Sequence, residues 1–101
     1  MDYDEPTILE KLRLQIDNTD NEIMFLIKRR FQSIKKVAKY KLEHNLEIED
    51  LDREDAVMLD KTRKSITMDL NESFIREVFE IILTESKIQQ RDFIEKKQNK
   101  K

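Results

Sequence analysis

This 101-residue chain has no cysteine, no glycine and a single proline, at position 6. Each absence closes off chemistry. Without cysteine there can be no disulfide, no thiolate nucleophile and no cysteine-ligated metal. Without glycine the chain lacks the residue that most easily takes the left-handed conformation of a tight hairpin turn, and it cannot form a glycine-rich phosphate loop or a dinucleotide fingerprint. No apolar run of about 18 residues is available to cross a bilayer, and no positive-then-apolar leader is seen, so a cytoplasmic location is expected. What is present is 42% charged and 38% hydrophobic. That balance suits one small all-α domain, residues 1–101, with few turns and an ordered part of about 5–95.

The formal net charge of −2 hides a segmented pattern. Residues 1–27 sum to −5, residues 28–42 to +7, residues 43–60 to −7 and residues 61–101 to +3. A basic block of this kind can serve anion or nucleic-acid binding, although a solvated helix face is the commoner reason for one. The acidic block beside it argues against a broad nucleic-acid footprint. It does not obstruct a small anion in an enclosed site.

Apolar periodicity places three helices. Pro6 can open the first, and Leu9, Leu12, Ile16, Ile23, Leu26, Ile34 and Val37 follow a helical stripe to about Leu42. This is roughly 54 Å of helix. A chain this short cannot bury so long a rod along its length, so a coiled coil or partner subunit is implied. After a connection through His44 and Asn45, Asp50 or Asp52 can cap a second helix carrying Leu51, Val57, Met58 and Leu59 to about Ser65. A short link over residues 66–69 follows. Asn71 then suits the start of a third helix with Phe74, Val78, Phe79, Ile82 and Phe93, leading to a frayed lysine-rich end of five or six disordered residues.

The informative positions are polar groups that interrupt the apolar stripes. Arg30 stands one turn from both Leu26 and Ile34, and Lys41 lies on the same line about 16 Å further along. On the third helix Ser86 and Gln90 continue the line of Phe79 and Ile82. Each taken alone is ordinary: the cations can snorkel or pair with acids, and the other two can hydrogen-bond in a core. Together with Asp50, Arg53 and Glu54 they read better as a polar ligand pocket whose cations receive carboxylates and whose acid accepts from a hydroxyl. Arg13 lies about 25 Å from Arg30 along one helix and some 100° around it, too far to share a small ligand within a subunit. An antiparallel neighbour brings it there, which predicts a two-fold dimer.

At this point the sequence resembles a known family, the all-helical (AroQ-type) chorismate mutases. The likeness runs from Leu12 to Gln90. It includes Leu12-Arg13 with Ile16-Asp17 and Asp20, then Arg30, the stretch Val37-Ala38-Lys39-Tyr40-Lys41, Asp50-Leu51-Asp52-Arg53-Glu54, and Phe79-Glu80-Ile81-Ile82 followed by Ser86 and Gln90. The resemblance implies an intertwined antiparallel homodimer of three-helix chains with two pockets, each completed by the first-helix arginine of the other chain. It implies conversion of chorismate to prephenate, a step of phenylalanine and tyrosine biosynthesis, with no cofactor and no metal. Arg13 of the partner and Arg30 would clamp the substrate carboxylates, and Lys41 would serve a carboxylate and the ether oxygen. Gln90 would face the same oxygen and Ser86 would assist carboxylate binding. Glu54, with the backbone near Asp50 and its side chain, would hold the ring hydroxyl, and Arg53 would support the wall.

Two rival readings have distinct consequences. A relative of the same fold that eliminates pyruvate from isochorismate would use a similar cationic pocket and yield salicylate. A non-enzymatic helical binding module would show salt-sensitive nucleic-acid or partner-chain binding through residues 28–42 and no pocket. The sequence also departs from many relatives in the connection before the second helix, where Asn45, Leu46 and Glu47 stand in place of a glycine and a proline. Asn45 is able to take the left-handed conformation there. His44 is expected to be an exposed helix-end residue.

Overall fold

A computed structural model describes the backbone of residues 4–99 and the side chains of residues 7–99. It contains three helices: α1 (Asp4–Glu43), α2 (Leu51–Thr67) and α3 (Glu72–Gln98). Pro6 falls in the first turn of α1, where a missing N–H leaves no hydrogen bond unmade. At 40 residues α1 is about 60 Å long. None of the described helices is long and apolar enough to cross a membrane.

The caps explain where the elements begin. Asp50 is the cap of α2 and accepts from the Arg53 amide at 3.1 Å, which decides between the two aspartates that the sequence offers. Asn71 caps α3 by accepting from the Phe74 amide at 3.0 Å. Asp52 and Glu54 occupy the first turn of α2 and Lys64 the last, matching the helix dipole at both ends.

Both helix ends that lead into turns close in the same way. The Leu46 amide donates to the Lys41 carbonyl at 2.8 Å and the Asn45 amide to Leu42 at 3.4 Å, with Asn45 left-handed at φ 54°. The Leu70 amide donates to Ser65 at 2.8 Å and the Asp69 amide to Ile66 at 3.2 Å, with Asp69 at φ 56°. These are Schellman closures, usually built on glycine. Here an asparagine and an aspartate take the role, the residues best able to do so after glycine. Asn45 does as its residue type allows; Asp69 is a second left-handed position that the reading of the 66–69 link did not single out.

The chain divides into two compact units, with the boundary between Gln32 and Ser33, inside α1. In the first unit every described side chain from Thr7 to Arg29 is exposed, and Arg30 and Phe31 are half-buried. The stripe expected from the sequence forms but stays uncovered: Leu9, Leu12, Ile16, Ile23 and Leu26 are all exposed. Phe25 reaches 71%.

The second unit holds the end of α1, the connection, α2 and α3. Its helices α2 and α3 pack as a hairpin. Their antiparallel register is read from the contacts, since Lys61 lies over the Phe79 ring at 5.8 Å and Lys87 reaches Glu54 at 3.1 Å. Among the described apolar residues only Ala38 and Val57 are buried, alongside the polar Ser65, Ser86 and Gln90. Val78, Phe79, Ile82 and Phe93 are half-buried, whereas Leu51, Leu59 and Phe74 are exposed. The helix ends lie further on than expected: α2 runs past Ser65 to Thr67, and α3 past residue 95 to Gln98 with Asn99 as its cap. The last two lysines lie outside the described residues.

Candidate functional site

In the second unit, the start of α2 is joined to the middle of α3 at Glu54 and Lys87, while Lys41 is fastened to the connection between α1 and α2. Lys41, in the last turn of α1, is half-buried and donates from Nζ to the Ile48 carbonyl at 2.7 Å. That uses one of three ammonium hydrogens and leaves two to donate. The bond ties the helix end to the loop that leads into Asp50. The Asp50 carboxylate is exposed and engaged by the Arg53 amide in capping, and the Arg53 side chain is exposed.

Glu54 sits one turn into α2 and meets α3 through Lys87. Its Oε1 lies 3.1 Å from the Lys87 Nζ, while Glu49 in the connection approaches the same ammonium at 3.9 Å. Lys87 neighbours Ser86 in sequence and stands one turn before Gln90, so Glu54 is held against the stretch of α3 that carries both. Ser86 is 3% exposed and donates from Oγ to the Ile82 carbonyl at 2.7 Å. Gln90 is 5% exposed.

Two atoms of this cluster stand out. Glu54 Oε2 and Gln90 Oε1 are buried and meet no hydrogen-bond donor of the protein. Leaving a buried acceptor unmatched costs about 1–3 kcal/mol. Those two atoms are therefore the places where a donor-bearing ligand gains most. The cluster offers a hydroxyl at Ser86, an amide at Gln90 and a carboxylate oxygen at Glu54, and the connection before α2 carries a cation with hydrogens left to donate at Lys41. That set suits an anionic solute that also carries a hydroxyl.

Arg13 and Arg30 belong to the first unit, Arg13 exposed and Arg30 half-buried. Two hollows of the described surface lie elsewhere. One runs along α1 between Glu22, Phe25, Leu26, Lys28, Arg29 and Gln32, and another lies on α3 between Glu80, Ile81, Thr84, Glu85 and Ile88. Neither contains a candidate site residue. Both lie on helix surfaces with exposed apolar side chains, among them Phe25, Leu26, Ile81 and Ile88.

His44 is exposed, as expected of a helix-end residue, and stacks on Tyr40 with ring centroids 4.0 Å apart. Hydrogen bonds from Lys61 and Lys64 hold the exposed Asp60 carboxyl below the usual carboxylate range. Lys87 is the site residue that the sequence reading missed. Its link to Glu54 depends on the register of α2 against α3, and no local spacing encodes that register.

Comparison with known proteins identifies the family. Residues 12–91 match the family described as chorismate mutase type II. The chain is 32% identical over 93 residues to a chorismate mutase of Methanocaldococcus jannaschii, covering 91% of this chain and 93% of that protein. It is 28% identical over 88 residues to a bifunctional chorismate mutase/prephenate dehydratase of Buchnera aphidicola subsp. Schizaphis graminum, covering 87% of this chain and 23% of that protein. The chain thus spans under a quarter of the Buchnera protein and nearly the whole of the archaeal one. With three helices, a cationic and amide-lined cluster, and a family match over most of its length, this chain belongs to the all-helical, type II chorismate mutase family.

Proposed function

We propose that the chain acts as one catalytic module, a chorismate mutase that converts chorismate to prephenate by a Claisen rearrangement. The observation that carries this reading is the pair of buried, unmatched acceptors, Glu54 Oε2 and Gln90 Oε1, with buried Ser86 one turn from Gln90 on α3. The substrate has two carboxylates, a ring hydroxyl and an ether oxygen, and each finds its chemical complement among these residues and Lys41. The reaction is intramolecular and moves no proton, so it calls for no nucleophile, cofactor or general acid. The protein's work is to hold the compact conformer and to place fixed donors where negative charge grows on the ether oxygen.

In this reading Lys41 and the Gln90 amide face the ether oxygen, Lys41 also serving a carboxylate. Gln90 would then donate from its amide nitrogen to the ether oxygen. Ser86 assists carboxylate binding, and Glu54, with the backbone and side chain near Asp50, holds the ring hydroxyl. Arg53 supports the wall. Arg30 clamps a carboxylate from its own chain and Arg13 from a second copy.

The second copy is supported by the apolar face of α1, where Leu9, Leu12, Ile16, Ile23 and Leu26 are exposed. The proposed dimer is sealed along that helix, antiparallel and intertwined as the family resemblance implies.

The decisive experiment follows the loss of chorismate absorbance with purified protein and identifies the product. Prephenate is expected. Failure to consume chorismate, or salicylate formed efficiently from isochorismate instead, would overturn the assignment. In a second test, Lys41→Ala and Gln90→Ala should each lower kcat, and an unchanged kcat in both would count against the proposed roles.

A further inference from the structure

We infer that Lys87 is a positioning residue that fixes the Glu54 carboxylate and so sets the preference for a substrate bearing a ring hydroxyl. The inference rests on the mutase reading above and adds to it a residue that touches no substrate. A carboxylate has two oxygens, and a rotation about its last bond exchanges them. At Glu54 the two are not equivalent. Oε1 is taken by the Lys87 ammonium at 3.1 Å, and Oε2 is buried with no donor of the protein in reach. Lys87 therefore selects which oxygen is spent on the protein and which is left for a ligand.

The competition for Lys87 favours this arrangement. Glu49 approaches the same ammonium at 3.9 Å with a side chain 57% exposed, while the Glu54 and Lys87 side chains are 22% and 23% exposed. Water screens the longer, outer pair and spares the shorter, inner one. Glu49 thus steadies the ammonium from the solvent side while Glu54 takes its main interaction. The pair also bridges α2 to α3, so the carboxylate is referenced to the helix that carries Ser86 and Gln90.

A site that reads a hydroxyl through a buried acceptor discriminates sharply against an analogue lacking it, because the acceptor then goes unmatched. Loosening Glu54 should blunt that discrimination and leave the rest of the chemistry in place. The test uses the full-length protein with chorismate and with an analogue whose ring hydroxyl is replaced by hydrogen. Lys87→Met is expected to lower kcat/KM for chorismate by about tenfold or more, chiefly through KM, while kcat/KM for the deoxy analogue stays within about twofold. Lys87→Arg should recover most of the loss. The double variant Lys87→Met/Glu54→Gln should be no worse than Glu54→Gln alone, since Lys87 acts through Glu54.

Equal losses on both substrates, no loss on either, or additive losses in the double variant would overturn the inference. If Lys87→Met loses its helical circular dichroism, Lys87→Gln carries the same comparison with the same outcomes. A parent protein that does not consume chorismate would instead bring down the mutase reading itself. An active parent whose substrate preference survives Lys87→Met brings down the Lys87 assignment alone.

Discussion

The two units of this chain have opposite deficits. Up to Gln32 the described part of the helix displays exposed leucine, isoleucine, methionine and phenylalanine. From Ser33 onward, serine and glutamine are buried beside Ala38 and Val57, and two acceptors are buried unmatched. The first unit has apolar surface lacking a cover, and the second has polar interior lacking a donor. Exposed apolar area is relieved by another macromolecular surface, whereas isolated buried acceptors are relieved by a small polar ligand. The contrast supports the proposal that one region serves assembly and the other chiefly substrate recognition.

The sharpest way to break this division is at Leu26, which is 52% exposed in the single chain. For an isolated chain Leu26→Asp is a surface change of little consequence. In a dimer sealed along α1 it buries an unpaired charge, and the dissociation constant should rise at least about a hundredfold. Sedimentation with circular dichroism would read both association and helicity. A variant that remains dimeric and fully helical would remove the assembly role from this face.

Next in size come the cations. Lys41→Ala should lower kcat by about two orders of magnitude, the usual loss when a donor to developing negative charge is removed. Arg13→Ala should be comparably impaired although its exposed side chain lies in the other unit. Mixing the two inactive variants separates shared from self-contained sites. In random heterodimers one site of two pairs an intact Lys41 with the partner's intact Arg13, so about a quarter of parental activity should return. No recovery on mixing would place every needed group within one chain.

Smaller effects bear on how the second unit holds its shape. Asn45→Val forces a β-branched residue into the left-handed region and should cost about 1–2 kcal/mol, read by chemical denaturation. Asn45→Gly should not. Least of all should matter Asp60→Asn, which removes exposed pairs to Lys61 and Lys64. Because the folded-state carboxyl is held below its ordinary value, whatever it contributes is present at neutral pH and fades as the pH falls through the carboxylate range. The difference in melting temperature between parent and Asp60→Asn should accordingly shrink on acidification.

How much of this was visible in the amino-acid order depends on whether the interaction is local. Helix starts at Asp50 and Asn71 follow from side chains that bond amides three residues on, so they can be read in a single pass. The burial of Ser86 and Gln90 was legible because both continue an apolar line on one helix. The stripe on α1 was equally clear, as was the fact that so long a helix outruns one small chain. Asp69 was harder, because aspartate adopts the left-handed conformation only where the surrounding turn demands it. The Glu54 to Lys87 pairing was out of reach, since two residues far apart in sequence meet only through the hairpin register. The same is true of the Lys41 bond to the Ile48 carbonyl, which depends on the course of the turn.

That turn gives Lys41 an unusual mechanical standing. Its carbonyl receives the Leu46 amide and its ammonium reaches the Ile48 carbonyl, so one residue is fastened to the same reversal at both its backbone and its tip. A flexible four-carbon side chain ordinarily loses considerable rotamer freedom when a ligand immobilises it. Here much of that ordering has been done by folding, before any ligand arrives. If Lys41 receives the substrate as proposed, the left-handed asparagine that stands in for glycine acts on affinity as well as on chain direction: loosening it would release the lysine's torsional entropy into the unbound state and weaken binding without touching a single atom of the ligand.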